Sequence, residues 1–167
     1  MAKTFVVHPD YQTLKLQLQS AIDGFGKNPD FVTRGDRNVI KKVGIDGEYY
    51  NIKRFKTPGF LQGLVYQFLR KSKARRSFEY ASRLIGLGVN TPFPVCYSEI
   101  FSAGLKESYY ISKHLEYNFD FRVLNHNPKW PNRNEILRQV AQFTFNLHEN
   151  HINFLDHSPG NTLIVDK

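Results

Sequence analysis

Asp156 and Asn161 stand five apart near the end of the sequence, with Ser158-Pro159-Gly160 between them. A carboxylate can orient a hydroxyl nucleophile and accept its proton, and a neighbouring amide oxygen can bind a divalent cation. One site can use both only if the chain turns back sharply, which Pro-Gly favours. The same spacing suits a plain Asx turn leading into a strand, and spacing alone weighs the two equally. Lys53 lies in YYNIKRF, a predicted strand, where a lysine on a sheet face can reach phosphate oxygens. Most strand lysines are merely solvated, and Lys56 is a rival for the role. Glu79 is the only acidic residue between Glu48 and Glu99, and it falls on an apolar-striped helix. It could hold a sheet lysine in place. Taken alone, a surface pair with Arg75 or Arg76 at i−4 or i−3, worth roughly a few tenths of a kcal/mol, is the stronger reading. Gly35 in TRGDRNVIK could bring backbone near phosphates, although a simple turn explains it better.

The elements that must position these residues follow from periodicity and turn signals. PDYQTLKLQLQSAID carries Leu14, Leu18 and Ile22 as a helical stripe. NVIKKVGI and EYYNIKRF flank Asp46-Gly47, a strong hairpin signal. FLQGLVYQFL, after Pro58-Gly59, is helix-like, and so is RRSFEYASRLIGLG, with Gly86 and Gly88 near its end. VCYSEIF and ESYYISKHL read as two strands joined at Ala103-Gly104. A long helix opens at Asn132, where Asn132 and Glu135 have capping-box spacing. Its stripe is Ile136, Val140, Phe143 and Leu147, and a short strand TLIV closes the sequence. The class is α+β with mostly antiparallel pairing in the first part.

Composition narrows the functions. Hydrophobic residues make up 41 % of the 167 residues, with 14 Phe and 9 Tyr, which is a globular and not a disordered composition. MAKTFVVHPD has too short an apolar run for a signal peptide, and nothing approaches the roughly 18 apolar residues of a membrane span. A cytoplasmic protein is expected. The single cysteine, Cys96, excludes an internal disulfide and reads as packed rather than reactive. His148-Glu149-Asn150-His151 is not the HExxH metal motif. The net charge of +8 favours anionic partners: phosphates, acidic lipids or nucleic acid. Arg70, Lys71, Lys73, Arg75 and Arg76 fall within seven residues, a run that suits an anionic substrate or membrane surface, or a solvated helix end. With no zinc spacing and no RNP-like motif, a nucleic-acid partner is not expected.

Taken in order, a hairpin lysine, a helix glutamate, two strands, a long helix and Asp-x-x-x-x-Asn before a short strand are the parts of a kinase fold. The sequence resembles that superfamily from about residue 30 onwards. Within it, RGDRNVIK, YYNIKRFK, FLRKSKARRSFEYASRLIGLGVNTPFPV and FLDHSPGNTLI look most like the lipopolysaccharide core kinases of Gram-negative bacteria, which phosphorylate Kdo or heptose. The resemblance implies a helical extension over residues 1–30, an antiparallel-sheet N-lobe over 31–115 and a partial helical C-lobe over 116–167. It implies ATP and Mg²⁺ as cofactors, and lipopolysaccharide core or a lipid A precursor as substrate, handled at the inner face of the inner membrane. Lys53 would contact the α- and β-phosphates, with Gly35 beside them, and Glu79 would pair with Lys53. Lys113 and His114, in the hinge near residues 112–115, would meet adenine through their backbone. Asp156 would be the catalytic base and Asn161 the Mg²⁺ ligand.

The sequence also departs from that pattern. Phe154 and Leu155 stand where histidine and arginine usually precede the catalytic aspartate, and Ser158 replaces the lysine two residues after it. This argues against a conventional Ser/Thr protein kinase. The alternatives are a small-molecule or atypical kinase, or an inactive pseudokinase acting by binding. Asn51 replaces the small apolar residue expected under adenine. The second Mg²⁺-binding aspartate is missing: Asp166 follows Asn161 too closely, and Asp120 precedes the loop. The expectation is a kinase cut after its catalytic loop, with negligible turnover. Phe143, Phe145 and Leu147 would then be left exposed and prone to self-association.

Overall fold

The computed structural model describes residues 1–35, 38–156 and 158–165. It divides into two compact units, Met1–His114 and Leu115–Lys167.

The first unit is one six-stranded antiparallel sheet. Its strands are β1 (Ala2–Val7), β2 (Phe31–Arg34), β3 (Asn38–Ile45), β4 (Glu48–Phe55), β5 (Pro94–Phe101) and β6 (Leu105–Lys113), in spatial order β1-β5-β6-β4-β3-β2. The β3–β4 hairpin closes as predicted at Asp46 and Gly47, with φ of 52° and 76° and Ile45 opposite Glu48. Both central residues of this two-residue turn need positive φ, which glycine and aspartate tolerate better than most. The β5–β6 connection turns at Ala103 and Gly104, again both at positive φ.

Alternation along the strands gives the sheet two buried faces. Tyr50, Ile52, Tyr109 and Ile111 face a core shared with Leu18 and Ile22 of helix α1 (Lys15–Asp23). Phe55, Tyr97 and Tyr110 face Ala74 and Phe78 of helix α3 (Lys73–Gly86). Helices on both faces explain why β5 is buried from Pro94 to Glu99. Ser72 caps α3, its hydroxyl accepting from the Arg75 amide at 3.1 Å. Helix α2 (Phe60–Phe68) precedes α3 and packs against β6, an inner strand of the sheet.

One expectation needs correction here. Residues 2–7 are not part of a helical extension: they form an edge strand paired along β5, from Ala2 opposite Phe101 to Val7 opposite Cys96. The short run TFVV has β-forming residues, but only a partner far along the chain makes it a strand. Residues 1–30 accordingly belong to the first unit. Cys96 is fully buried, and burial pushes its thiol well above the usual range, so it is packed rather than reactive.

The second unit holds β7 (Phe119–Asp120), α4 (Arg122–His126), α5 (Arg133–Glu149) and β8 (Leu163–Ile164), with β7 and β8 antiparallel. The long helix opens where the sequence predicts, but without the capping box. Asn132 is left-handed at φ 55° and its side chain caps nothing; its carbonyl accepts from the Glu135 and Ile136 amides. Leu147 is buried, which corrects its expected exposure. Ile136, Val140 and Phe143 are half-buried, and Phe145 points outward, 55 % exposed. Phe119 stacks edge-on against Trp130 at 5.1 Å, tying β7 to the approach to α5.

A lysine-bearing strand, a crossover through helices α2 and α3, two returning strands and then helices leading to a polar loop is the protein-kinase-like order. The fold is α+β of that type: an antiparallel-sheet unit followed in sequence by one that holds α4, α5 and the β7–β8 pair.

Candidate active site

In the second unit the structure brings Asp156 and Asn161 together. A 3-10 turn over Pro159–Asn161 reverses the chain. The Asn161 Nδ2 donates to the Asp156 carbonyl at 2.8 Å. The Ser158 amide donates to the same carbonyl, and the Asn161 amide to the Ser158 carbonyl. With its NH₂ committed inward, the Asn161 amide offers Oδ1 as the atom that can meet a cation. The Asp156 side chain is exposed and acceptor-only when ionised.

Arg122 lies against this loop, a contact that the sequence does not signal. A Cβ on Gly160 would collide with the Arg122 guanidinium, so glycine here leaves room for a cation against the loop. No spacing in NFDFR signals this, because the contact is made only when β7 pairs with β8. Asp120 has a local role as well: its carboxylate accepts from the Arg122 amide at 3.0 Å, closing the turn into α4.

In the first unit, alternation places Lys53 on the α3-facing side of β4, level with Ile40 on β3 and Tyr110 on β6. Its ammonium lies 5.1 Å from the Phe55 ring centre. Tyr110 is desolvated enough that its phenol stays protonated well beyond the usual range. Lys56 lies just past the strand end and is exposed, which separates it from its rival. Glu79, on α3, has both oxygens engaged: Oε2 by Lys71 Nζ at 2.8 Å and Oε1 by Arg75 Nε at 2.9 Å. The Lys71 bond, then Arg75, holds its carboxyl below the usual range. The surface pair with Arg75 thus forms, and Lys71 joins it.

At the end of β6 the Lys113 amide donates to the Phe93 carbonyl and the His114 amide to the Tyr49 carbonyl, both at 2.9 Å. An adenine would have to meet backbone groups other than those two amides. The Lys113 ammonium pairs with Glu48 at 2.9 Å and holds that carboxyl below its usual range. His114 Nδ1 lies 2.9 Å from Asn51 Oδ1, so Asn51 supports the end of β6. The Gly35 amide donates to the Asn38 carbonyl at 3.1 Å, where β2 leads into β3.

Among solved structures, WaaP in complex with acyl carrier protein is similar to this chain, with a TM-score of 0.50 and 17 % sequence identity. The match covers 77 % of this chain and 48 % of that one, so the chain spans about half the length of its structural neighbour. At that identity the likeness shows the fold. No protein-family model matches the sequence, and no curated protein matches it.

Proposed function

We propose that this chain carries the phosphotransfer machinery of an ATP-dependent kinase acting on an alcohol group, a sugar hydroxyl of the lipopolysaccharide inner core, Kdo or heptose. The observation that carries the reading is the closed loop, in which Asn161 folds back onto the Asp156 carbonyl within a protein-kinase-like fold. Asp156 orients the acceptor hydroxyl and takes its proton. Asn161 Oδ1 serves Mg²⁺, Lys53 the ATP phosphates, and Gly35 the turn beside them. The sugar class rests on the resemblance of YYNIKRFK, FLRKSKARRSFEY and FLDHSPGNTLI to lipopolysaccharide core kinases, with the likeness to WaaP in support.

A second reading, a kinase-like protein that binds without catalysis, has one observation in its favour. Both carboxylate oxygens of Glu79 are taken by Lys71 and Arg75.

The test is transfer of the γ-phosphate of ATP to inner-core lipopolysaccharide by the whole gene product. Labelling should require Mg²⁺ and should fall by about 10²–10⁴-fold in Asp156→Asn, the usual worth of a positioned base. Labelling unchanged by that substitution overturns the assignment. Binding of ATP without any transfer supports the second reading.

A further inference from the structure

Helix α2 (Phe60–Phe68) is amphipathic in reverse. Its sheet-facing side is Gly63 and Tyr66. A Cβ on Gly63 would come within 3.3 Å of the Leu105 amide, and Tyr66 is only 9 % exposed. Its outward side is Leu61, Val65, Phe68 and, at the end of the helix, Leu69. These are the i, i+4, i+7 and i+8 positions of a single stripe. Leu61 is 78 %, Phe68 72 % and Leu69 83 % exposed. A surface helix ordinarily turns such a stripe inward.

The surroundings are cationic. Arg70 and Lys71 follow the stripe directly and are exposed, as is Lys73. Lys56 and Lys73 line a small cavity against Gln62 and Tyr66, which places both beside α2. Lys71 is paired with Glu79, while Lys56, Arg70 and Lys73 have no ion pair among the described residues, in a chain of net +8. A second copy of this face would bring the same cations, so self-pairing sets like charges together. An anionic lipid surface complements both features: an apolar boundary for the stripe and phosphates for the cations. At nine residues α2 is far too short to cross a bilayer and can only lie in its plane.

We infer that α2 is an interfacial membrane anchor. Leu61, Val65, Phe68 and Leu69 enter the boundary of an anionic bilayer while Lys56, Arg70 and Lys73 meet its phosphates. Anchoring needs neither Lys53 nor Asp156, so it stands or falls apart from the phosphotransfer reading.

The test is co-sedimentation of the chain with vesicles of phosphatidylcholine alone or of phosphatidylcholine with phosphatidylglycerol. Phe68→Ser/Leu69→Ser and Arg70→Gln/Lys73→Gln are compared with the parent after thermal melts confirm folding. All four side chains are exposed, so neither pair disturbs the core. Partition onto the anionic vesicles is expected. It should fall on the order of tenfold in each double variant and weaken with salt. Equal binding by the Phe68/Leu69 variant overturns the inference, as does equal binding to both vesicle types. Absence of lipid binding, with self-association that this variant abolishes, also overturns it and makes the face a contact between copies.

Discussion

Lys41 is buried to 5 % exposure, a rare condition for a lysine, and its surroundings explain why it is tolerated. Its ammonium donates to the Phe25 carbonyl at 2.8 Å and the Asn28 carbonyl at 2.6 Å. The Phe25 and Phe31 rings lie 4.8 Å and 4.5 Å away. One β3 side chain thus fastens the segment between α1 and β2 to the sheet. Lys41→Met keeps the volume but leaves two carbonyls unsatisfied. It is expected to lower stability by about 2–3 kcal/mol, read from urea unfolding. Glu79 gives a smaller, pH-dependent effect. Its folded pKa is depressed, so its contribution is complete at neutral pH and disappears as pH falls through the folded pKa. The partners are substantially solvated, so Glu79→Gln should cost only a few tenths of a kcal/mol at pH 7, roughly. The two proteins should melt alike once the carboxylate is protonated, at a pH well below the ordinary carboxylate range. The Arg75 pair was legible at i−4. The Lys71 pair was not, because Lys71 precedes the helix and reaches Glu79 only after Ser72 sets the turn.

At the scale of elements, α2 depends on a backbone contact that has no side-chain signature. Gly104 sits at φ 106°, and a Cβ there would lie 2.9 Å from the Gly63 carbonyl carbon. Gly104→Ala therefore meets both a forbidden backbone conformation and the α2 backbone. A loss of about 2 kcal/mol or more is expected in thermal or chemical unfolding, with hydrogen-exchange protection falling first in α2. The hairpin at Asp46-Gly47, the strands around Ala103-Gly104 and helices α1, α3 and α5 were legible because each carries its own periodicity or turn residues. Strands β1, β2 and β7 were not. β7 is two residues long, and β1 is defined by pairing with β5. The capping box at Asn132 was misleading for a related reason. Spacing supplies the residue types, but with Asn132 in the left-handed region its side chain caps nothing.

For the whole molecule, the sequence order of chemistry-bearing residues carried the fold further than composition did. The net charge of +8 and the aromatic content fit many proteins. The succession of hairpin, crossover helix, paired strands and polar loop fits few, and the six-stranded sheet follows it. The candidate site was legible where it is local: Asp156 and Asn161 five apart around a Pro-Gly turn. It was not legible where it needs tertiary structure, as with Arg122 against Gly160 and the amides of Lys113 and His114 spent on Phe93 and Tyr49. ATP binding is the step on which the proposed chemistry depends, and Lys53 is the residue assigned to it. Calorimetric titration of Mg²⁺-ATP into the parent, Lys53→Met and Lys56→Met measures that directly. Binding should weaken by about tenfold or more in Lys53→Met, the loss of one charged phosphate contact, and stay unchanged in Lys56→Met. Equal binding by all three, or none by the parent, would contradict the account.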